Sequence, residues 1–168
     1  RKDELVSINV VTGMMTATLA VAASALGRLD ALRSELESLP EMLADTVRRA
    51  TEMRQRMLAH FAGVRPIHLL WRGASKAAAY CGRLALEEIA RTPGVPVEAS
   101  EFRQGPNEVV DERFGAVVFA PGGKPGHLSR TLAGDLLRLG GRVMIAGDVP
   151  DDPLDGSLTF PLPSLPDV

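Results

Sequence analysis

Cysteine is almost absent from this chain, since the 168 residues contain only Cys81. A lone cysteine excludes a disulfide within the chain, so the reducing cytoplasm is the expected location. A signal-peptide pattern is also missing from the first residues. The three histidines are scattered, and no His, Cys, Asp and Glu residues have metal-ligand spacing. We therefore predict no metal and no other cofactor, and we interpret Cys81 as an inert thiol rather than a nucleophile.

Aromatic residues and net charge are scarce as well. Phe, Trp and Tyr make up 4% of the residues, and the formal net charge is −2. Base stacking needs aromatic side chains, and phosphate backbones or anionic membrane surfaces attract an excess of basic ones. Nucleic acid and membranes are therefore not expected partners. Arg48, Arg49, Arg54 and Arg56 fall on one predicted helix, and we interpret them as part of a solvated face.

Charged residues are missing altogether between Leu5 and Gly27. A stretch of this length is a candidate membrane span. Polar residues are scattered through it and small residues are frequent, which is typical instead of a helix packed inside a water-soluble protein. We predict such a helix, ended by Gly27 as a C′ residue.

Apolar periodicity organises the rest of the chain. Apolar residues at helical spacing predict a short helix over residues 29–36, a break at Leu39-Pro40 and a second helix to about His60. Short apolar runs then alternate with helical segments, which indicates right-handed crossovers and a parallel sheet covered on both faces. The predicted strands span residues 67–71, 95–99, 115–120, 142–147 and 158–160. Helices are predicted over residues 75–90 and 128–139, with Ser75 as an N-cap and residues 121–126 as a loop.

Three motifs in the middle of the chain resemble a known family. They read Arg72-Gly73-Ala74-Ser75, Leu84-Ala85-Leu86-Glu87-Glu88-Ile89-Ala90 and Glu101-Phe102-Arg103-Gln104-Gly105-Pro106. They resemble the sugar isomerase (SIS) domain, and most of all the second SIS domain in the isomerase half of glucosamine-6-phosphate synthase and its deaminase and deglycase relatives. The third motif is the specific one, because a Gly-turn alone is common in α/β proteins.

The resemblance runs from about Leu5 to the C-terminus, and it implies a fold. That fold is a three-layer α/β/α sandwich with a mainly parallel, five-stranded, flavodoxin-like sheet, preceded by helices. Residues 1–62 are expected to be a helical segment, made of the end of a preceding SIS domain and linker helices. Residues 63–168 are expected to be an SIS domain. Because the chain begins with Arg1 rather than Met, we interpret it as a piece of a longer protein. By comparison with the family, we also expect it to lack the C-terminal tail.

The resemblance also implies an acid/base residue. Aldose–ketose isomerisation moves a proton between adjacent sugar carbons and needs a suitably placed base. Cys81, Ala85 and Glu88 share one face of a predicted helix with mostly apolar or small neighbours, so the carboxylate of Glu88 is expected to be partly desolvated. In the family, a glutamate at the position of Glu88 is this base. The alternative is that Glu88, like Glu87, is solvated near the end of the helix.

Four positions depart from the family's pattern, three of them in and after the predicted helix of Glu88 and the fourth at Asn9, which replaces a lysine. Cys81 replaces a second glutamate, Ala85 a lysine, and Gln104 a histidine that opens the sugar ring and reaches the neighbouring subunit's site. Glutamine hydrogen-bonds a sugar oxygen but does not exchange protons near pH 7, so Gln104 is expected to bind substrate without opening the ring. Ser7 lies in Val6-Ser7-Ile8-Asn9, where the family reads Ala-Ser-Thr-Lys. The resemblance therefore implies that Ser7 contacts the sugar, and the alternative is a serine satisfied within a buried helix start. Ser75 is a candidate phosphate ligand, with the N-cap role as the alternative.

These residues imply a phosphosugar isomerase, deaminase or deglycase that acts on a ketose- or amino-sugar phosphate by proton transfer at C1 and C2. A homodimer with a shared active site is the expected assembly. One alternative is a non-catalytic phosphosugar-binding or sensor protein, which Cys81, Ala85 and Gln104 favour. Another is a dimerisation half, in which the uncharged N-terminal helix is mainly interface.

Overall fold

The computed structural model of the chain describes residues 8–149 and 153–162, with side chains from residue 11 onward. The helices are α1 (Ile8–Ala25), α2 (Leu29–His60), α3 (Lys76–Glu88), α4 (Ala99–Phe102) and α5 (Gly123–Arg138), and the strands are β1 (Ile67–Trp71), β2 (Gly94–Glu98), β3 (Gly115–Ala120), β4 (Arg142–Gly147) and β5 (Leu158–Pro161). Short 3-10 turns span Gly73–Ser75 and Pro106–Val109. The chain divides into two compact units between Arg49 and Ala50, inside α2. The predicted domain boundary after residue 62 stays a prediction.

The end of α1 follows from one glycine. Gly27 has a φ of 67°, in the left-handed region. The N–H of Arg28 donates to the carbonyl of Ala23 (2.7 Å), and the N–H of Gly27 donates to that of Ser24 (3.0 Å). This pair of bonds is a Schellman motif, so the prediction of Gly27 as the C′ residue is confirmed. In the part of the chain that the structure describes, no helix has both the length and the apolar character needed to cross a membrane.

The second helix, α2, is continuous through Pro40, so the predicted break there is wrong. Proline has no N–H, and a proline inside a helix costs about 3 kcal/mol because one backbone hydrogen bond is lost. Leu36, Leu39 and Met42 lie half-buried at helical spacing on both sides of the proline. Most residues on both sides of Pro40 are also good helix formers, such as Leu, Ala, Glu and Met, so the remaining backbone hydrogen bonds hold the helix together across the missing one.

The sheet has five strands in the order β2-β1-β3-β4-β5, and all neighbouring strands are parallel. This is the flavodoxin-like order, so the predicted sheet is confirmed. The bounds of β1, β3 and β4 agree with the predicted ones. The second strand begins and ends one residue earlier than predicted, and the fifth extends by one residue to Pro161.

Helices cover both faces of the sheet. Leu70 of β1 points to one face and shares a buried cluster there with Leu132 of α5 and Phe102 of α4. Its neighbour Leu69 points to the opposite face, because side chains alternate along a strand. On that face, a Cβ added to Gly82 of α3 would lie 3.6 Å from a methyl carbon of Leu69. Thus α3 packs on one face, and α4 and α5 pack on the other.

The loop predicted over residues 121–126 is only partly a loop, because α5 begins at Gly123 rather than near Leu128. Gly126 is buried so close to the end of β3 that an added Cβ would lie 1.6 Å from the carbonyl oxygen of Pro121. Pro125 is compatible with this start, since the first turn of a helix needs no backbone N–H there. The glycines therefore allow a helical turn to pack onto the strand end.

Candidate functional site

The sheet has a topological switch point between β1 and β3. These strands are neighbours, yet the chain goes from β1 outward to β2 on one side and from β3 outward to β4 on the other. In open α/β sheets, ligands bind outside the carboxyl ends of the strands at such a point. The segments that leave these ends are residues 72–75 after β1 and residues 121–122 after β3.

An ion pair joins the carboxyl ends of β1 and β2. Nη1 of Arg72 lies 3.6 Å from Oε1 of Glu98, and the two side chains are only 18% and 23% exposed. The other carboxylate oxygen of Glu98 accepts the backbone N–H groups of Ser100 (2.7 Å) and Glu101 (3.1 Å) and so caps α4. Burial acts to raise the pKa of Glu98, but the hydrogen bonds from Ser100 and Glu101 and the charge of Arg72 outweigh it and lower the pKa below 4.5. Glu98 is therefore a fixed anion that connects β2, α4 and the turn after β1.

Ser75 stands directly before α3, as predicted, but it does not make the N-cap hydrogen bond. Its hydroxyl donates to the carbonyl of Arg72 (2.7 Å) and accepts the N–H of Arg72 (3.2 Å). Because Gly73–Ser75 already form a 3-10 turn, Ser75 has helical backbone angles, which an N-cap residue lacks. Its role as a phosphate ligand stays a prediction.

A lysine in the first turn of α3 adds positive charge to the same edge of the sheet. Nζ of Lys76 lies 5.4 Å from the ring centroid of Trp71 and 5.8 Å from that of Tyr80, within the range of cation–π attraction. Sequence reasoning missed Lys76 and the Arg72–Glu98 pair as site residues. The available signal for Arg72 was its position directly after a predicted strand. Lys76 lies one short turn further on, and Glu98 lies inside the strand predicted over residues 95–99, so neither had that signal.

Glu88 is the last residue of α3, and its side chain is exposed. Its neighbour Glu87 is bound to Arg83 through Oε1 and Nε at 2.9 Å, whereas the described part of the chain offers no partner to Glu88. The expected partial desolvation of Glu88 is therefore wrong for the described chain taken alone. The physical reason is that the apolar side chains of Leu84 and Ile89 beside it are exposed as well, so nothing covers this end of α3.

Gln104 follows α4, and its side chain is exposed and makes no hydrogen bond within the described residues. Since α3 and α4 pack on opposite faces of the sheet, Glu88 and Gln104 lie on opposite sides of it in one chain.

Cys81 and Ala85, also on α3, are half-buried. Ser7, the other predicted sugar contact, lies outside the described residues. The roles of Glu88, Gln104 and Ser7 stay predictions.

No family model matches the chain. Among curated proteins, it is 26% identical over 161 residues to the glutamine–fructose-6-phosphate aminotransferase (isomerizing) of Bradyrhizobium diazoefficiens, which covers 93% of this chain and 26% of that protein. It is 27% identical over 140 residues to the enzyme of the same name from Caulobacter vibrioides, with 80% and 23% covered. The chain thus spans about a quarter of the length of these relatives.

Two solved structures have the same architecture. The C-terminal domain of glucosamine-fructose-6-phosphate aminotransferase from Francisella tularensis superposes with a TM-score of 0.72 at 19% identity, over 81% of this chain and 39% of that one. Tagatose-6-phosphate ketose/aldose isomerase from Escherichia coli superposes with a TM-score of 0.68 at 22% identity, over 92% and 42%. The predicted α/β SIS fold and the predicted resemblance to the isomerase half of the aminotransferase are confirmed.

Proposed function

We propose that this chain, which has the SIS fold and resembles the isomerase half of glutamine–fructose-6-phosphate aminotransferase, contributes to a site for a ketose- or amino-sugar phosphate. The reaction is of the isomerase, deaminase or deglycase type. The names of the similar proteins specify fructose-6-phosphate and tagatose-6-phosphate, which are both ketose 6-phosphates. This common substrate class supports the proposal.

The observation that carries the proposal is the free carboxylate of Glu88. Glu87 is held by Arg83 at 2.9 Å, so the adjacent Glu88 is the carboxylate available for chemistry at this end of α3. It takes a proton from the sugar carbon next to the carbonyl or imine carbon and returns it to the neighbouring carbon. A surface that covers the exposed Leu84 and Ile89 would also remove water from Glu88, which strengthens a carboxylate as a base.

Gln104 is assigned the role of holding the sugar in a neighbouring chain's site. Its amide both donates and accepts hydrogen bonds, as sugar hydroxyls require. Because the sheet separates Gln104 from Glu88 within one chain, a site that uses both is built from two chains. A sugar phosphate that binds in its open-chain form needs no ring opening, so glutamine at this position favours a reaction on open-chain substrates over an isomerase of cyclic sugars.

Solvent-exchange NMR on the full-length protein tests this function. We expect fructose-6-phosphate, glucosamine-6-phosphate or a fructosamine-6-phosphate in D2O to acquire deuterium at C1 or C2, while unphosphorylated fructose acquires none. Chemical-shift changes without exchange or turnover would instead favour a non-catalytic sensor. No shift change, exchange or turnover with any of the three sugar phosphates at millimolar concentration would contradict the proposal.

The surface of α1 favours a second role, as a dimerisation element. This helix has no charged residue, and Met14 and Val21 are 65% and 70% exposed, while the small Ala23 is buried. Such an apolar helix surface suits an interface between identical chains.

Replacing the exposed Ala22 by Glu is expected to convert a dimer to a monomer in light scattering, because it buries an unpaired charge. Ser34→Glu, at an exposed position of α2, is the control, and an unchanged mass for Ala22→Glu would exclude this interface.

A further inference from the structure

We infer that Asp135 of α5 is a positioning residue, which orients Gln104 by holding the preceding residue, Arg103. One carboxylate oxygen of Asp135 accepts a hydrogen bond from Nη2 of Arg103, and the other accepts one from Nη2 of Arg138. Arg103 and Asp135 are 32 residues apart in the sequence. This inference rests on the proposed function in one respect, which is that Gln104 contacts the sugar phosphate.

The segment around Gln104 is held mainly by local backbone hydrogen bonds, such as the one from the N–H of Gln104 to the carbonyl of Glu101 (2.9 Å). Its helix, α4, has four residues, too few for a stable isolated helix. The side chain of Phe102 is buried in the core, but the next four residues are all exposed. Within this exposed stretch the backbone turns sharply at Gly105, whose φ is 148°. A contact that holds the residue directly beside Gln104, here called the tether, therefore determines how freely the side-chain amide of Gln104 moves.

Asp135 is well placed to be that tether. It lies on a helix whose neighbouring residues Leu132, Ala133 and Leu136 are fully buried against the sheet, so its backbone is firmly held. Because its side chain is only 29% exposed, solvent screens its attraction to Arg103 less than it would screen an ion pair on an open surface. The planar guanidinium of Arg103 presents several N–H donors in a fixed geometry, and a carboxylate partner therefore orients the arginine as well as attracting it.

Loss of the Arg103–Asp135 pair is expected to affect the position of Gln104 much more than the stability of the fold. Surface ion pairs contribute little to the free energy of unfolding, so loss of the Arg103–Asp135 pair is expected to leave the melting temperature nearly unchanged. Misplacement of a ligand-binding group by about 1 Å, in contrast, has large effects on function. Arg138 reaches Asp135 from the same helix and is 76% exposed, so it anchors nothing outside α5 and provides a matched control.

Hydrogen–deuterium exchange and sugar-phosphate binding on the full-length protein test the inference together. In Asp135→Asn we expect amide exchange over residues 103–110 to rise about tenfold without ligand, and the Kd for fructose-6-phosphate to rise about tenfold. In Arg138→Ala both quantities are expected to stay within about twofold, since the tether is intact. Asp135→Glu keeps the charge and is expected to recover part of the protection. Adding Gln104→Ala to Asp135→Asn is expected to weaken binding no further, because both changes remove the same interaction.

The outcomes distinguish the tether from the proposed function. Unchanged exchange over residues 103–110 in Asp135→Asn would overturn the tether whether or not a sugar binds. Raised exchange with an unchanged Kd would overturn the claim that the tether serves Gln104. Raised exchange in a protein that binds none of the three sugar phosphates would support the tether and overturn the proposed function. Additive losses in the double variant would overturn the coupling of Asp135 to Gln104.

Discussion

Glu88→Gln is expected to keep sugar-phosphate binding and to lose deuterium incorporation at C1 and C2 of the sugar by about 10²–10⁴-fold, the usual contribution of a general base. Glutamine has nearly the size of glutamate and hydrogen-bonds a hydroxyl, but it accepts no proton near pH 7. The binding surface is therefore preserved while the proton transfer is removed. Solvent-exchange NMR measures the transfer, and chemical-shift titration on the same samples measures the binding.

The neighbouring carboxylate provides the control for this experiment. Glu87→Gln removes the pair with Arg83 (2.9 Å) on the exposed side of α3 and is expected to change the exchange rate by less than about twofold, because exposed pairs within a helix contribute little. Equal losses in the two variants would show a general effect of charge at the end of α3. Exchange that persists in Glu88→Gln at the original rate would exclude Glu88 as the base.

Gly126→Ala is expected to lower the free energy of unfolding by about 3 kcal/mol, the upper part of the usual range for overpacking a buried site. An added Cβ would lie 1.6 Å from the carbonyl oxygen of Pro121 and 2.8 Å from its carbonyl carbon. Both are backbone atoms at the end of β3, so no side-chain rotation relieves the clash, and α5 has to move. Equilibrium unfolding in urea measures the loss.

A second glycine of the same helix is the matched control. Among the described residues, a Cβ added to Gly134 would approach only a methyl carbon of Leu154, at an ordinary 3.8 Å. Gly134→Ala is therefore expected to stabilise the protein by about 0.5–1 kcal/mol, because alanine loses less backbone entropy than glycine inside a helix. If Gly126→Ala were as stable as Gly134→Ala, the close approach of α5 to β3 would be contradicted.

Local sequence rules failed at two places. The residue pair Leu39-Pro40 has the local signal of a helix end, yet α2 continues through it because good helix formers flank it on both sides. The glycines before Leu128 have the local signal of a loop, yet they form the first turn of α5, since only a residue without a Cβ fits against Pro121. The close approach of Gly126 to the backbone of Pro121 cannot be read from the local sequence.

In the candidate site, too, some features could be predicted from the sequence and others depend on the fold. The three motifs identified the SIS fold and selected Glu88 and Gln104, because motifs record residue types at fixed spacing. The motifs did not show that Glu88 and Gln104 lie on opposite sides of the sheet, since that depends on which face each crossover covers. The contact between Arg103 and Asp135, 32 residues apart, likewise exists only because α4 and α5 pack on the same face.

The pattern of residues was enough to predict the strands and their parallel direction. Apolar runs such as Ile67–Trp71 and Gly115–Ala120 are short, continuous and separated by helical segments, and a right-handed parallel sheet is the arrangement that buries them. Which carboxylates are free and which are bound, in contrast, is visible only in the folded chain. Glu98 and Asp135 are held by arginines distant in the sequence, whereas Glu88 is exposed. The reason is that burial and ion pairing depend on distances in space, which the folding of the whole chain sets.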